Sequence, residues 1–284
     1  MKFTLFILLL TTLVTGLYAQ QLSTPIHSSE DPSSQGAFTS RSRYSREMVL
    51  GNILKGALEN MHLAGKKIND PLSENAFKLY IERIDYGKQF LLESDVKELE
   101  KFRKSFDEML ISGDLSILEK TSEMMNKRIA QIQKHIEKLL EKPLSLKEKD
   151  SLETDSKKRK FAKTEQELFA HWNRLMKFEV MNRIIDQREE QSGLSTDEKG
   201  KKKAAPAKKL TEVEIEAEAR SKVLKSYKKI FTRLINEKKS DKYDKFYNAI
   251  TRVFDPHTNY LVPEEKEDFD IDISGKLEGI GAIL

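Results

Sequence analysis

Apolar positions recur at helical spacing over most of this chain. Met48, Ile53, Leu54, Leu58 and Met61 open such a pattern, and Gly65 and Pro71 close it. Phe77, Tyr80, Ile81 and Ile84 make a second apolar face. Val96, Leu99, Phe102, Phe106 and Met109 make a third, behind the cap candidate Ser94. Three short amphipathic helices joined by turns predict a compact bundle.

A longer pattern starts after Gly113 and Asp114. Leu118, Met125, Ile129, Ile132, Ile136 and Leu139 fall on alternating steps of three and four, interrupted by Ser122 and ended by Pro143. A dimerising coiled coil and an intramolecular bundle both produce this seam, and its short run favours the bundle. Thr164 and Glu167 have capping-box spacing ahead of Leu168, Trp172, Met176, Val180 and Ile184, which recur every four residues. Trp172 reads as a core anchor in preference to a ligand-stacking ring, and His171 beside it as a solvated histidine. Leu210, Thr211, Glu214 and Ile215 combine a capping box with a hydrophobic staple. Val213, Ala217, Leu224, Tyr227, Phe231 and Leu234 continue the rhythm with Arg220 as a polar interruption, and Tyr243, Phe246, Tyr247, Ile250, Val253 and Phe254 form a last helical face. The prediction is an all-α fold of about eight helices packed as one domain over residues 44–255.

The flanks have a different character. Residues 1–19 read as a signal peptide: Lys2 gives the positive start, Phe3 to Val14 the apolar stretch, and Gly16 or Ala19 a small residue for cleavage. A transmembrane anchor is the competing reading, but the run is shorter than the ~20 residues a bilayer needs, and Thr11, Thr12 and Thr15 interrupt it. Residues 20–43 are rich in Ser, Thr, Pro and Gln without apolar period and are expected to be a disordered lead-in. Residues 191–210 form an expected flexible loop carrying Lys199, Lys201, Lys202, Lys203, Lys208 and Lys209, either merely solvated or in weak contact with an anionic surface.

Composition agrees with long solvated helices: 34% of residues are charged, with only 12 Gly and 7 Pro. Fifty basic against forty-six acidic residues give a formal +4, with the signs interspersed and no basic face, which argues against nucleic acid as a partner. The absence of cysteine excludes disulfides, thiolate metal sites, cysteine nucleophiles and lipid attachment through cysteine. An exported, periplasmic chain without a lipid anchor fits these features.

No catalytic constellation is legible. His27, His62, His135, His171 and His257 include no pair at metal-ligand spacing, so neither a metal nor another cofactor is expected. Carboxylates mostly stand near Lys or Arg, as surface ion pairs do. Asp255, Pro256, His257 and Thr258 could be read as a catalytic Asp and His. A rigid turn is preferred, with Pro256 fixing φ, Asp255 accepting backbone N–H groups, and Thr258 or Asn259 capping the next element. At the far end, Gly279, Ile280, Gly281, Ala282, Ile283 and Leu284 have the alternation of a strand with no partner after it, an edge that folded domains avoid. The chain is therefore expected to be the front part of something longer.

The run Asp255-Pro256-His257-Thr258-Asn259-Tyr260-Leu261, then Phe269, then Leu277-Glu278-Gly279-Ile280-Gly281-Ala282 resembles the junction of tail-specific proteases, the carboxy-terminal processing peptidases, where a helical domain hands over to a PDZ domain. The likeness extends back through Phe90-Leu91, Ser94-Asp95, Phe102-Arg103, Phe106-Asp107 and Ser112-Gly113-Asp114-Leu115, and takes in Trp172 with Glu179-Val180. It implies a periplasmic serine endopeptidase that acts on proteins with unstructured apolar C-terminal tails, through a Ser/Lys dyad that lies beyond this chain. No catalytic residue is therefore assigned, and an adaptor protein is a further implied partner. On this resemblance residues 256–276 are a connector and 277–284 the truncated start of a PDZ domain. Gly279, Ile280, Gly281 and Ala282 would be its carboxylate-binding loop, with Ala282 replacing the large apolar residue of the general pattern. A free-standing periplasmic helical scaffold or interaction protein is the alternative.

Overall fold

Four helices begin where the side chain of the cap residue takes up an unpaired N–H of the first turn. In the computed structural model, which describes residues 45–146, 149–193 and 209–274, Ser45 Oγ accepts from Met48 N at 3.0 Å and starts α1 (Arg46–Asn60). Asn69 Oδ1 accepts from Leu72 N at 3.2 Å, with Pro71 in the first turn of α2 (Asp70–Ile84). Thr164 and Thr211 cap α6 (Glu165–Gln191) and α7 (Glu212–Ile235) as their spacing predicts. At Thr211 the box is reciprocal, with Thr211 N donating to Glu214 at 2.8 Å and Glu214 N to Thr211 Oγ1 at 3.3 Å. At α6 the Glu167 carboxylate accepts from Lys163 N at 2.8 Å, one residue before the cap.

Ser94 is not a cap. It lies inside α3 (Glu93–Leu99), whose cap position is Leu92. Without a side-chain oxygen there, Asp95 reaches back to Leu92 N at 2.9 Å. The single third helix predicted from Val96 to Met109 is three pieces: α3, a 3-10 turn at Glu100–Phe102, and α4 (Phe106–Ser112). Gly113 ends α4 at φ +73°, and a Cβ there would come within 2.5 Å of Met48 N, so the glycine allows both the left-handed cap and the close approach of α1. Three more helices are found among the described residues: α5 (Ser116–Leu140) before α6, then α8 (Lys239–Phe254) and α9 (Pro263–Ser274) after α7. The last lies within the expected connector. Nine α-helices and no strand are found among the described residues.

The helices enclose two apolar clusters. In the first, α2 packs along α8, and α4 packs against α1 and α2. Its centre is Phe77, Tyr80, Phe106, Phe246 and Tyr247, all buried, with Phe106 stacked on Phe246 at 5.1 Å. In the second, α5, α6 and α7 pack as three helices around Trp172, Ile132, Ile136, Met176, Val180 and Phe231. The α5 seam belongs to both, with Ile117, Leu118 and Met124 in the first cluster and Ile129, Ile132, Ile136 and Leu140 in the second. It is thus consumed within the chain by α6, α7 and α8. Leu140, and not Leu139, is its last buried residue.

Several apolar positions assigned to a core face outward. Ile53 and Met61 are 65% and 77% exposed, because α1 turns Gly51 and Leu58 inward instead. A Cβ on Gly51 would lie 1.7 Å from Leu110 O, so α1 meets α4 backbone to backbone. On α7 the buried register is Ile215, Ala219, Val223 and Phe231, while Val213 is 77% exposed and Ala217 is exposed as well. The expected register ran through Val213, but the staple between Leu210 and Ile215 sets the helix phase two residues later. Among the described residues no helix is long and apolar enough to cross a membrane. The signal peptide and lead-in expected at 1–43 lie outside the described residues, as do 194–208 of the Lys-rich loop and the strand expected at 277–284.

Candidate functional site: the hand-over segment

Where α8 ends, the chain turns out of the first cluster through residues 255–262. Asp255 Oδ1 accepts from His257 N at 2.8 Å, and Thr258 N donates to Asp255 O at 3.0 Å, which makes the predicted turn around Pro256. Asp255 thus holds a backbone N–H of His257, whose ring is exposed, and the two form no catalytic couple.

Side chains far away in sequence hold this turn. Lys66 Nζ donates to the carbonyls of Val253 and Phe254 at 2.5 and 3.0 Å, placing a cation on the unpaired C-terminal carbonyls of α8. His62 Nε2 stands 2.9 Å from Thr258 Oγ1, and its ring meets Phe254 edge-on at 5.5 Å. Ala64 N donates to His62 Nδ1 at 3.0 Å, so Nδ1 is an acceptor and the neutral ring carries its proton on Nε2. His62 therefore donates to Thr258. It is not a base that could activate the hydroxyl.

Asn248, on the second-last turn of α8, is 3% exposed. Its Oδ1 accepts from Tyr260 N at 2.8 Å and its Nδ2 donates to Tyr260 O at 2.9 Å, so one carboxamide satisfies both backbone groups of the extended chain. The Tyr260 ring lies 4.9 Å from that of Tyr247, and Val262 is buried just before α9. Thr258 and Asn259 do not cap α9. Thr258 faces His62, and Asn259 Oδ1 accepts from Arg252 Nε at 2.9 Å. The arrangement fixes where the chain leaves the helical body. Sequence spacing does not single out His62, Lys66 and Asn248 as holders of this turn. For Asn248 a signal exists, a polar residue inside the apolar run Phe246, Tyr247, Ala249, Ile250.

A second polar assembly joins the two clusters. The buried Asp85 carboxylate accepts from Gln89, Phe90 and Leu91 N–H at 2.8, 3.0 and 2.9 Å. Burial pushes its pKa up, against the pull of those donors and Arg159. The loop it shapes presents Gln89 O to Trp172 Nε1 at 2.7 Å, and Glu93 N to Ala162 O at 2.9 Å. Trp172 is accordingly a core anchor. Nearby, Arg128 holds Asp95 through two bonds of 2.7 and 2.8 Å and Glu165 through one of 2.8 Å. Burial alone would raise the Asp95 carboxyl, but Arg128 and Leu92 N–H outweigh it and hold it low.

His171 differs from expectation. It is half-buried, its Nε2 has no hydrogen-bond partner, and burial together with the cations Arg159 and Arg174 drives its pKa down to about 4. Its neighbour Trp172 bonds Gln89 O and Arg159 bonds Gly87 O at 2.6 Å, so both reach the same loop. His135 stacks on Phe169 at 4.3 Å and bonds Asn173, a structural role. Carboxylates do meet elsewhere: Asp70, Asp107 and Glu108 bring oxygens within 4.8 Å of one another. Asp107 is already engaged by Ser73 Oγ at 2.6 Å, and the hydrogen bond and charge of Asp107 push the Glu108 carboxyl up. The trio contains no histidine and joins α2 to α4, so spacing within one helix carries no sign of it.

Gly279, Ile280, Gly281 and Ala282 lie outside the described residues. So do Lys199, Lys201, Lys202, Lys203 and Lys208, while Lys209 is described and exposed.

A family model described as the tail specific protease N-terminal domain matches residues 54–264, from α1 to the start of α9. A tail-specific protease of Haemophilus influenzae is 29% identical over 228 residues, covering 80% of this chain and 29% of the relative. The chain thus spans under a third of the length of that protein.

Proposed function

Because the chain belongs to the tail-specific protease family through its N-terminal domain, we propose that it is the non-catalytic helical portion of a periplasmic serine endopeptidase. That enzyme degrades or processes proteins with apolar C-terminal tails, and this portion is inactive alone. The observation that carries the reading is the hand-over segment. Asn248, His62 and Lys66 clamp residues 253–260 and so fix the point at which the chain leaves the helical body. Such a clamp suits a domain whose task is to position a neighbour, in which serine and lysine side chains would do the chemistry.

Further proposals belong to the same reading. Residues 1–19 direct export and are removed. Gly279 to Ala282 contribute to a carboxylate-binding loop that is incomplete without the rest of its fold. An adaptor protein docks on the helical domain, and Lys199 to Lys209 give a weak contact with anionic surfaces. The test is to incubate the purified chain with an unstructured protein ending in free Leu-Ala-Ala. No cleavage and no tight binding are expected, whereas cleavage by the chain itself would overturn the non-catalytic assignment. N-terminal sequencing of chain recovered from a periplasmic fraction should begin close to Gln20, and an intact Met1 there would reject removal of the signal.

A further inference from the structure

The charges of α7 are segregated along the helix. Its first half carries Glu212, Glu214, Glu216 and Glu218. From Ser221 to Ile235 it carries Lys222, Lys225, Lys228, Lys229 and Arg233 and no carboxylate. Lys222 pairs with Glu218 at 2.6 Å and Lys228 with Glu137 at 2.9 Å. Lys225, Lys229 and Arg233 are exposed and have no ion-pair partner among the described residues. They recur every four residues on one open face of α7 that they share with Ser221, Thr232 and Asn236, and Ile230, 37% exposed, lies at its edge. Three like charges on one stripe repel one another unless a partner neutralises them.

The complementary face is on the same chain. α9 carries six acidic residues against the single Lys266. Helical spacing puts Glu265, Phe269, Asp272 and Ile273 on one side of it. All four are exposed, Phe269 at 50% and Ile273 at 71%. At 1.5 Å per residue the carboxylates Glu265 and Asp272 are about 10 Å apart along α9, and the cations Lys225 and Arg233 about 12 Å apart along α7. Both helices therefore offer two charges at nearly the same separation, with Phe269 and Ile273 beside the pair on α9 and Lys229 between the pair on α7. No ion pair joins α9 to α7 within the chain among the described residues.

We propose that the basic stripe of α7 is a docking site for α9 of a second copy of this chain. Glu265 and Asp272 meet Lys225 and Arg233, and Phe269 and Ile273 lie along Ile230 at the edge of the stripe. Exposed ion pairs contribute little individually, so the apolar residues supply most of the affinity and the charges set the register. A two-fold pair of chains makes the contact twice, which brings the buried area toward that of ordinary stable interfaces. The proposal stands independently of the protease reading.

The experiment is sedimentation equilibrium of the full chain with a charge swap. Dimer is expected at low salt, with its dissociation constant weakened roughly tenfold or more when NaCl rises from about 50 to 500 mM. K225E/R233E alone and E265K/D272K alone should each weaken association to a similar degree, and the four substitutions together should restore it. These side chains are exposed, and unchanged circular dichroism confirms that each variant folds. A chain that stays monomeric to about 200 µM at low salt, or a dimer indifferent to either swap, or failure of the combined variant to recover association, overturns the proposal.

Discussion

The two apolar clusters of this domain are held in different ways. The three-helix cluster of α5, α6 and α7 relies on long stripes, typified by Leu168, Trp172, Met176, Val180 and Ile184 at steps of four. The cluster of α1, α2, α4 and α8 is built from shorter helices and is tied by long-range polar bonds. Ser73 bonds Asp107, Tyr80 bonds Thr121, Arg83 bonds Asp244, and Asn248 bonds Tyr260. A long helix buries enough apolar surface to define its own orientation, whereas a helix of seven residues such as α4 does not and needs specific partners. The hand-over segment emerges from the second kind of region. A segment that must leave in a defined direction is better placed by directional hydrogen bonds than by an apolar stripe.

This contrast can be broken from either side. The largest effect is expected from Trp172→Ala, which removes the biggest fully buried side chain of the three-helix cluster and orphans Gln89 O. A loss of about 4 kcal/mol in urea unfolding monitored by circular dichroism is expected. Hydrogen exchange should rise first in α6 and α7, and equal loss of protection in α2 and α8 would show that the clusters do not differ.

Gly51→Ala attacks the other side. Its Cβ would collide with the Leu110 carbonyl, which cannot move without shifting α4, and about 3 kcal/mol of destabilisation is expected. Trp172 fluorescence, which reports the three-helix cluster, should change at higher urea than circular dichroism does. Coincident transitions would mean that the damage spreads through α5.

Asn248→Ala should cost about 2 kcal/mol, because both backbone groups of Tyr260 lose their partner. Its sharper readout is limited proteolysis, with cleavage between residues 255 and 262 appearing while the helical core stays intact. Unchanged protection of that segment would remove Asn248 from the clamp.

The smallest change per step concerns pH, at most about 1.4 kcal/mol for each unit. In the unfolded chain His171 takes up its proton near its ordinary 6.5, but in the folded protein only near 4. The unfolded state therefore binds more protons in that window. This group's contribution to stability rises with pH from about 4 to 6.5 and is constant above it. His171→Phe should flatten that part of the urea-midpoint profile, and an unchanged slope would place the dependence elsewhere.

Much of the architecture was legible in the chain. The caps at Thr164 and Thr211, the α6 stripe and the α8 face are local patterns, and each occurs as its spacing predicts. Legibility failed where apolar content exceeded what neighbours could cover. Ile53, Met61 and Val213 have the same chemistry as buried residues, but they stand exposed among the described residues. The hand-over turn was recognisable from Asp255 and Pro256, yet its holders were not, since His62 and Lys66 stand almost two hundred residues earlier.

By itself the sequence determined most of the helices, the starts at Thr164 and Thr211 and the all-α class, because capping and i, i+4 periodicity depend on residues within a turn or two of one another. Only the tertiary structure decided which cluster each part of α5 serves, which nitrogen of His62 carries the proton, and that His171 is half-buried. It also decided that Lys225, Lys229 and Arg233 lack ion-pair partners while Glu265, Phe269 and Ile273 of α9 stand exposed. Those properties depend on groups that folding brings together, or keeps apart, from distant parts of the chain, and spacing along the chain carries no record of them.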